Sequence, residues 1–150
     1  MGRMNAVRRW RDGGGTLRIA ASGTHGSSTY GSSTNGSTTY GSSTPGEPPP
    51  SIPLEIAASY RARTRGLLGR DGLDGALLLT PATSVHTVRM RFAIDVAYLD
   101  RRLRVLAVRT MPPGRLGRPR LRARHVLEAE AGAMERWGVR RGVRLEIGME

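Results

Sequence analysis

Between residues 85 and 99 the chain alternates. His86, Val88, Met90, Phe92, Ile94, Val96 and Tyr98 stand on one parity, and Thr87, Arg89, Arg91 and Asp95 on the other. Side chains of a strand point to its two faces in turn, so this spacing predicts one long strand with an apolar and a charged face. The same alternation, shorter, occurs in TLRIA (16–20) and IPLEIAAS (52–59), where Leu17 and Ile19 match Leu54 and Ile56. GALLLTP (75–81) is a short apolar run stopped by Pro81, which reads as a buried strand. Residues 100–102 predict a hairpin into a strand over 103–109, and 125–132 and 143–147 supply two more strands. Ser59 is placed to cap a helix over 60–68, with Tyr60, Thr64, Leu67 and Leu68 as its stripe and Gly69 ending it. A second short helix is predicted around 132–137, carrying Met134 and Trp137. Six or seven strands with two short helices make an α+β domain, a small and mostly antiparallel curled sheet or barrel-like fold.

The pattern breaks off in residues 24–50. THGSS-TYGSS-TNGST-TYGSS-TPGEP is a run of five imperfect pentapeptides with Gly at the third place of each, followed by prolines. Such a segment has almost nothing to bury against the entropy of ordering it, so it is predicted to be a disordered low-complexity insertion. The strands on either side share an apolar face, which predicts a hairpin whose turn the repeat has enlarged. Loop-closure entropy grows only with the logarithm of length, so the enlargement is mild. Residues 1–23 then supply a disordered start and the first strand, and 51–150 the main part of one domain.

Composition narrows the chemistry. There is no Cys, which excludes disulfides, thiolate nucleophiles and Cys-bound metals. All 24 basic residues are Arg, so Schiff-base chemistry and a phosphate-loop Lys are excluded as well. Net charge of +12 would point to nucleic acid or an anionic surface, but the total absence of Lys reads first as codon bias. No apolar run is long enough for a membrane span, and the basic start is not followed by an apolar leader segment, so the expected compartment is the cytoplasm. Hydrolase, zinc-protease, phosphate-loop and dinucleotide fingerprints are absent, and no cofactor is expected.

RTRGLLGR (63–70), HTVRMRFAIDVAYLD (86–100), HVLEAEAG (125–132) and WGVRRGVRLEI (137–147) follow one another in an order that resembles domain of unknown function 192, also called UPF0127. The resemblance covers residues 54–147 and implies a small single-domain α+β fold without implying any biochemistry. Two departures stand out. Relatives commonly carry Gly-Asp where this chain has Gly142 and Val143, and many follow an export signal that is not seen here.

The candidate site residues are His86, Thr87, Arg91, Asp95 and Glu128. Arg91 and Asp95 would stand roughly 13 Å apart on an extended strand, so a direct ion pair needs a kink or bulge, and either could instead pair across to Glu128 or Glu130 on another strand, Arg with carboxylate in a bidentate fork. These charges either solvate an outer face and close a salt bridge, or line a pocket in which Arg91 holds an anionic group. A metal site through His86 and His125 would need further ligands and is not expected. Arg115, Arg118, Arg120, Arg122 and Arg124 form a candidate anion patch without aromatic interleaving, suited to phosphates rather than bases. The leading expectation is a non-catalytic binding or interaction domain that recognises an anionic ligand or a protein partner. The alternatives are an enzyme using Asp95 or His86 as acid or base, and an accessory nucleic-acid binder acting through 115–124.

Overall fold

The computed structural model describes residues 9–20 and 50–150. The repeat, predicted to be a disordered insertion, lies outside the described residues, as does His25. Seven strands form one sheet: β1 (Gly13–Ile19), β2 (Ile52–Ala57), β3 (Ala76–Leu79), β4 (Ile94–Leu99), β5 (Val105–Met111), β6 (His125–Glu130) and β7 (Leu145–Met149). Two short helices, α1 (Tyr60–Arg65) and α2 (Ala133–Trp137), follow β2 and β6. The strand order is β5-β4-β6-β3-β2-β1-β7. Neighbours are antiparallel except β2 and β3, which run parallel and are joined by the crossover that contains α1.

The predicted hairpin across the repeat is present: Leu17 pairs with Ile52 and Gly13 with Ile56. The sheet curls far enough for its two ends to meet. The Val105 amide donates to Val143 (2.8 Å), Leu145 to Leu103 (2.9 Å) and Gly142 to Val105 (2.8 Å). Both edges are thereby partly satisfied, which answers the exposure that an open seven-stranded sheet would leave. Val143 packs half-buried against the inner core.

Two apolar layers result. The concave face gathers Leu17, Leu54, Ile56, Leu78, Leu99, Leu127 and Ile147, with Met134 of α2 closing one end. The convex face gathers Leu77, Leu79, Ile94, Val96, Tyr98 and Val126, and is roofed by loop residues Leu67, Leu73, Val85 and Met90. Because β4 and β6 lie inside the sheet, both of their faces are covered, and all but one of their residues are buried. Alternation in such strands separates two cores rather than core from water.

Two expectations need correction. The long strand begins only at Ile94. Residues 86–93 are irregular, with Arg89 at φ 63° and His86 held only in an isolated bridge to Leu116. Burial there keeps no single parity: Val85, Thr87 and Met90 are buried, whereas His86 and Val88 are exposed. The segment turns so that Val85 and Met90 cover the convex face, a tertiary demand that period-two spacing cannot report. Helix α1 stops at Arg65, with Gly66 at φ 45° as its cap, not at Gly69. None of its residues is buried, so nothing rewards further turns. Leu67 leaves the helix to enter the core.

Candidate functional site

One row of residues runs across the convex face through five adjacent strands: Arg109, Val96, Glu128, Leu77 and Glu55. Glu128 is its centre. A carboxyl at the middle of a central strand has neighbouring strands on both sides and a roof above, and Glu128 is 3% exposed. Among the described residues it makes no hydrogen bond and no ion pair. It forms part of the wall of a cavity of about 340 Å³ beneath α1 and the 81–90 segment.

Leu67, Leu79, Val85 and Met90 give this cavity apolar walls, and Arg63, Arg65, Ser84 and His86 contribute its polar groups together with Tyr60. Tyr60 is 79% exposed and His86 is exposed, so both belong to the rim. The frame around it is tied. Ser59 caps α1 by accepting from the Ala62 amide (3.1 Å). The Asp12 carboxylate accepts from the Ala58 and Ser59 amides at 2.6 and 2.7 Å, and a bond to the Ser59 side chain, followed by these two, holds its pKa below the usual carboxylate range. Arg63 donates to the carbonyls of Ala58 (2.9 Å) and Thr80 (3.4 Å), which joins α1 to the end of β3. Arg70 grips Glu55 with two parallel bonds of 2.9 and 2.8 Å, anchoring the chain after α1 across β2.

Burial disfavours the charged form of an acid with no partner. It pushes the Glu128 carboxyl up from 4.5 to about 7, with desolvation as the cause. Near neutral pH the group therefore exchanges between a neutral donor and a carboxylate. His125, three residues before it on β6 and on the opposite face, shows the converse: burial, then the Arg124 charge, lowers it to about 4. Its Nδ1 lies 2.7 Å from the Thr80 hydroxyl and its ring meets Trp10 edge-on at 5.2 Å, which places it in the core.

The structure brings His86 and Glu128 to one cavity and separates the other candidates. Asp95 is on the concave face, 3% exposed and fully engaged. Its Oδ1 accepts from the Thr110 hydroxyl (2.6 Å), and Oδ2 accepts from the Gly132 (2.9 Å) and Met134 (3.2 Å) amides. Gly132 has no side chain with which to cap α2, and Asp95 supplies the missing acceptor from the neighbouring strand. Arg91 is exposed and pairs with Asp71 at 3.1 Å, with no ion pair to a β6 carboxylate among the described residues. Glu130, the other carboxylate weighed for it, accepts from the Leu73 amide (2.9 Å). Thr87 is fully buried: its hydroxyl donates to Pro112 O (2.7 Å) and accepts from the Arg115 amide (2.9 Å). It ties two loops together. No cluster of three or more metal-binding side chains exists among the described residues.

Of the arginine patch, Arg115, Arg118 and Arg120 line one cleft, while Arg122 and Arg124 do not. Sequence reading missed Arg63 at the Glu128 cavity and Arg109 at the cleft. Arg109 was legible in part, because it falls on the same alternation as Ala107 and Met111 of β5. Arg63 sits in a helix without a buried face, and no spacing marks it.

The family model for domain of unknown function 192, described as an uncharacterised ACR, matches residues 42–147. A UPF0127 protein of Pyrococcus horikoshii is 32% identical over 87 residues, spanning 55% of this chain and 76% of the relative. Among solved structures, a Sinorhizobium meliloti protein provisionally named a transcription regulator is similar with TM-score 0.65 at 17% identity, over 93% of this chain and 98% of that one. A Novosphingobium aromaticivorans protein of unknown function is similar with TM-score 0.55 at 16% identity, over 87% and 83% of the two chains. At those identities the likeness is one of fold. The family match and the archaeal relative together place this chain in the domain of unknown function 192, or UPF0127, family.

Proposed function

We propose that this chain is a binding domain for a small organic acid with an apolar body, held in the cavity beside Glu128. The observation that carries the reading is a buried carboxyl without a partner in the wall of an apolar cavity. A carboxyl withdrawn from bulk solvent and left without a protein partner gains when a ligand supplies its hydrogen bond. The charge of the ligand follows from the surroundings. Arg63 and Arg65 line the same cavity, opposing a cation and drawing an anion. An anion can approach Glu128 only while that carboxyl is neutral, which burial permits up to about pH 7. A ligand carboxylate then accepts the Glu128 proton in a short charge-assisted bond, with its tail against Leu67, Val85 and Met90. The volume, about 340 Å³, is at the small end of ligand sites.

The test is a calorimetric titration with a panel of short aliphatic and aromatic carboxylic acids at pH 6 and pH 8. The expected result is binding at pH 6 that weakens at pH 8, becomes independent of pH in Glu128→Gln, whose amide is a neutral donor at both values, and is lost in Glu128→Leu. Equal wild-type binding at both pH values, undiminished in Glu128→Leu, would place the ligand elsewhere and overturn the reading. Turnover of a bound acid in the wild type, abolished in Glu128→Gln, would convert the reading to that of an enzyme with Glu128 as its proton donor, since a pKa near 7 suits that work.

A further inference from the structure

On the far side of the 82–90 segment lies a second cleft of about 600 Å³, between β5 and the 112–120 loop. Four arginines line it, Arg109, Arg115, Arg118 and Arg120, and no acidic side chain does. We propose that this cleft is a binding site for the phosphoryl group of a small phosphorylated molecule.

Three observations beyond charge support it. First, the loop is built rather than loose. The Thr87 amide donates to Arg115 O (2.8 Å), the Gly117 amide to Val85 O (2.8 Å) and the Arg120 amide to Thr83 O (2.9 Å). At Gly117 a Cβ would come within 2.8 Å of the Tyr98 hydroxyl and of Val85 O, so the loop lies directly against the sheet. A loop whose backbone is already fixed spares the cost of ordering it when an anion arrives. Second, donors are left over. The Nε of Arg120 is buried without a hydrogen-bond partner. The Tyr98 hydroxyl lines the cleft, is on a side chain 2% exposed, and makes no hydrogen bond among the described residues. Burial raises the Tyr98 pKa further, so the phenol keeps its proton and can donate. Third, the geometry selects phosphate over base. The Arg120 guanidinium lies over the Tyr98 ring at 5.0 Å from its centre, occupying the one aromatic face in the cleft. A nucleobase has no ring left to stack on, while forked guanidiniums match phosphoryl oxygens in pairs.

The cleft shares no lining residue with the Glu128 cavity, and its test is separate. Inorganic pyrophosphate is titrated calorimetrically into the full chain and into two double variants of equal charge. Arg115→Ala/Arg118→Ala removes exposed arginines of the cleft; Arg122→Ala/Arg124→Ala removes arginines outside it. Near-ultraviolet circular dichroism confirms that both variants keep the fold. The expected result is one-to-one binding, weakened at least about tenfold in the first variant and by no more than about twofold in the second, with Tyr98→Phe losing several-fold. Absence of binding, or equal loss in both double variants, would overturn the proposal in favour of diffuse charge. A single-stranded oligonucleotide that binds more tightly than pyrophosphate, with affinity falling steeply as salt rises, would overturn it in favour of a nucleic-acid track.

Discussion

Replacing Glu128 by Gln keeps the shape of the side chain and removes its titration. In the folded chain the carboxyl holds its proton up to about pH 7, whereas an unfolded glutamate releases it near 4.5. Below both values the proton is bound in either state and stability is unaffected. As pH rises through the interval, the unfolded state ionises first and gains, so the wild type loses stability at about 1.4 kcal/mol per pH unit. Across the interval from 4.5 to about 7 the loss is on the order of 3 kcal/mol. His125 acts in the opposite sense. Lowered from 6.5 to about 4, it stays neutral in the fold while the unfolded chain takes up a proton, so stability rises with pH over that range. The two slopes nearly cancel in the wild type between about pH 4.5 and 6.5. In Glu128→Gln only the histidine slope remains. Urea unfolding followed from pH 4.5 to pH 8.5 should therefore show the Gln variant gaining on the wild type by the order of 3 kcal/mol, a midpoint difference of about 1–3 M. Parallel curves for the two proteins would mean that Glu128 titrates near its ordinary value, and the argument for a proton-holding cavity would collapse with it.

The other candidates should respond according to their bonds. Asp95→Ala orphans two amides of α2 and the Thr110 hydroxyl, so denaturant titration should show a loss of about 2–5 kcal/mol with organic-acid binding per folded molecule unchanged. Arg91→Ala removes a pair whose side chains are 60% and 85% exposed, so the melting curve should shift by less than the equivalent of about 0.5 kcal/mol; a larger loss would reveal a partner beyond Asp71. Thr87→Val keeps the volume but deletes the bonds to Pro112 and Arg115, so hydrogen exchange in 112–118 should accelerate well before that of β4 or β6. Uniform exchange across the three would show that Thr87 does not pin the loop.

What could be read from the sequence was what depends on local spacing. The matched apolar faces of Leu17 and Leu54 announced a hairpin across the repeat, and the runs 75–81, 85–99 and 125–132 announced strands that form over 76–79, 94–99 and 125–130. The α+β class followed. The error over 86–93 has the same origin as the successes: alternation of residue types is blind to a turn such as that from Thr87 to Met90. The candidate site failed as a triad because charge on a strand does not reveal which core it faces. Asp95 and Glu128 read alike, yet the sheet sends one to the concave face as a helix cap and the other to the convex face without a partner. Arg91 read as their companion and is a surface residue. The pairing register that separates them, Val96 rather than Asp95 opposite Glu128, is set by strands distant in the chain.

The place of β1 has a consequence for how the chain reaches its fold. The strand at residues 13–19 is hydrogen-bonded on one side to β2 and on the other to β7, at residues 145–149. During synthesis its second neighbour is therefore missing until more than a hundred further residues have left the ribosome. Leu17 and Ile19 must wait, with β2 alone beside them, for Leu145 and Ile147 to complete the concave core. Such distant pairings make closure a late event, and refolding should fall in the millisecond-to-second range of β-rich domains. Until then the exposed side of β1 offers unpaired amides and carbonyls to any neighbouring chain. Arg18, pointing outward from that strand opposite Glu146, puts a charge on the waiting edge.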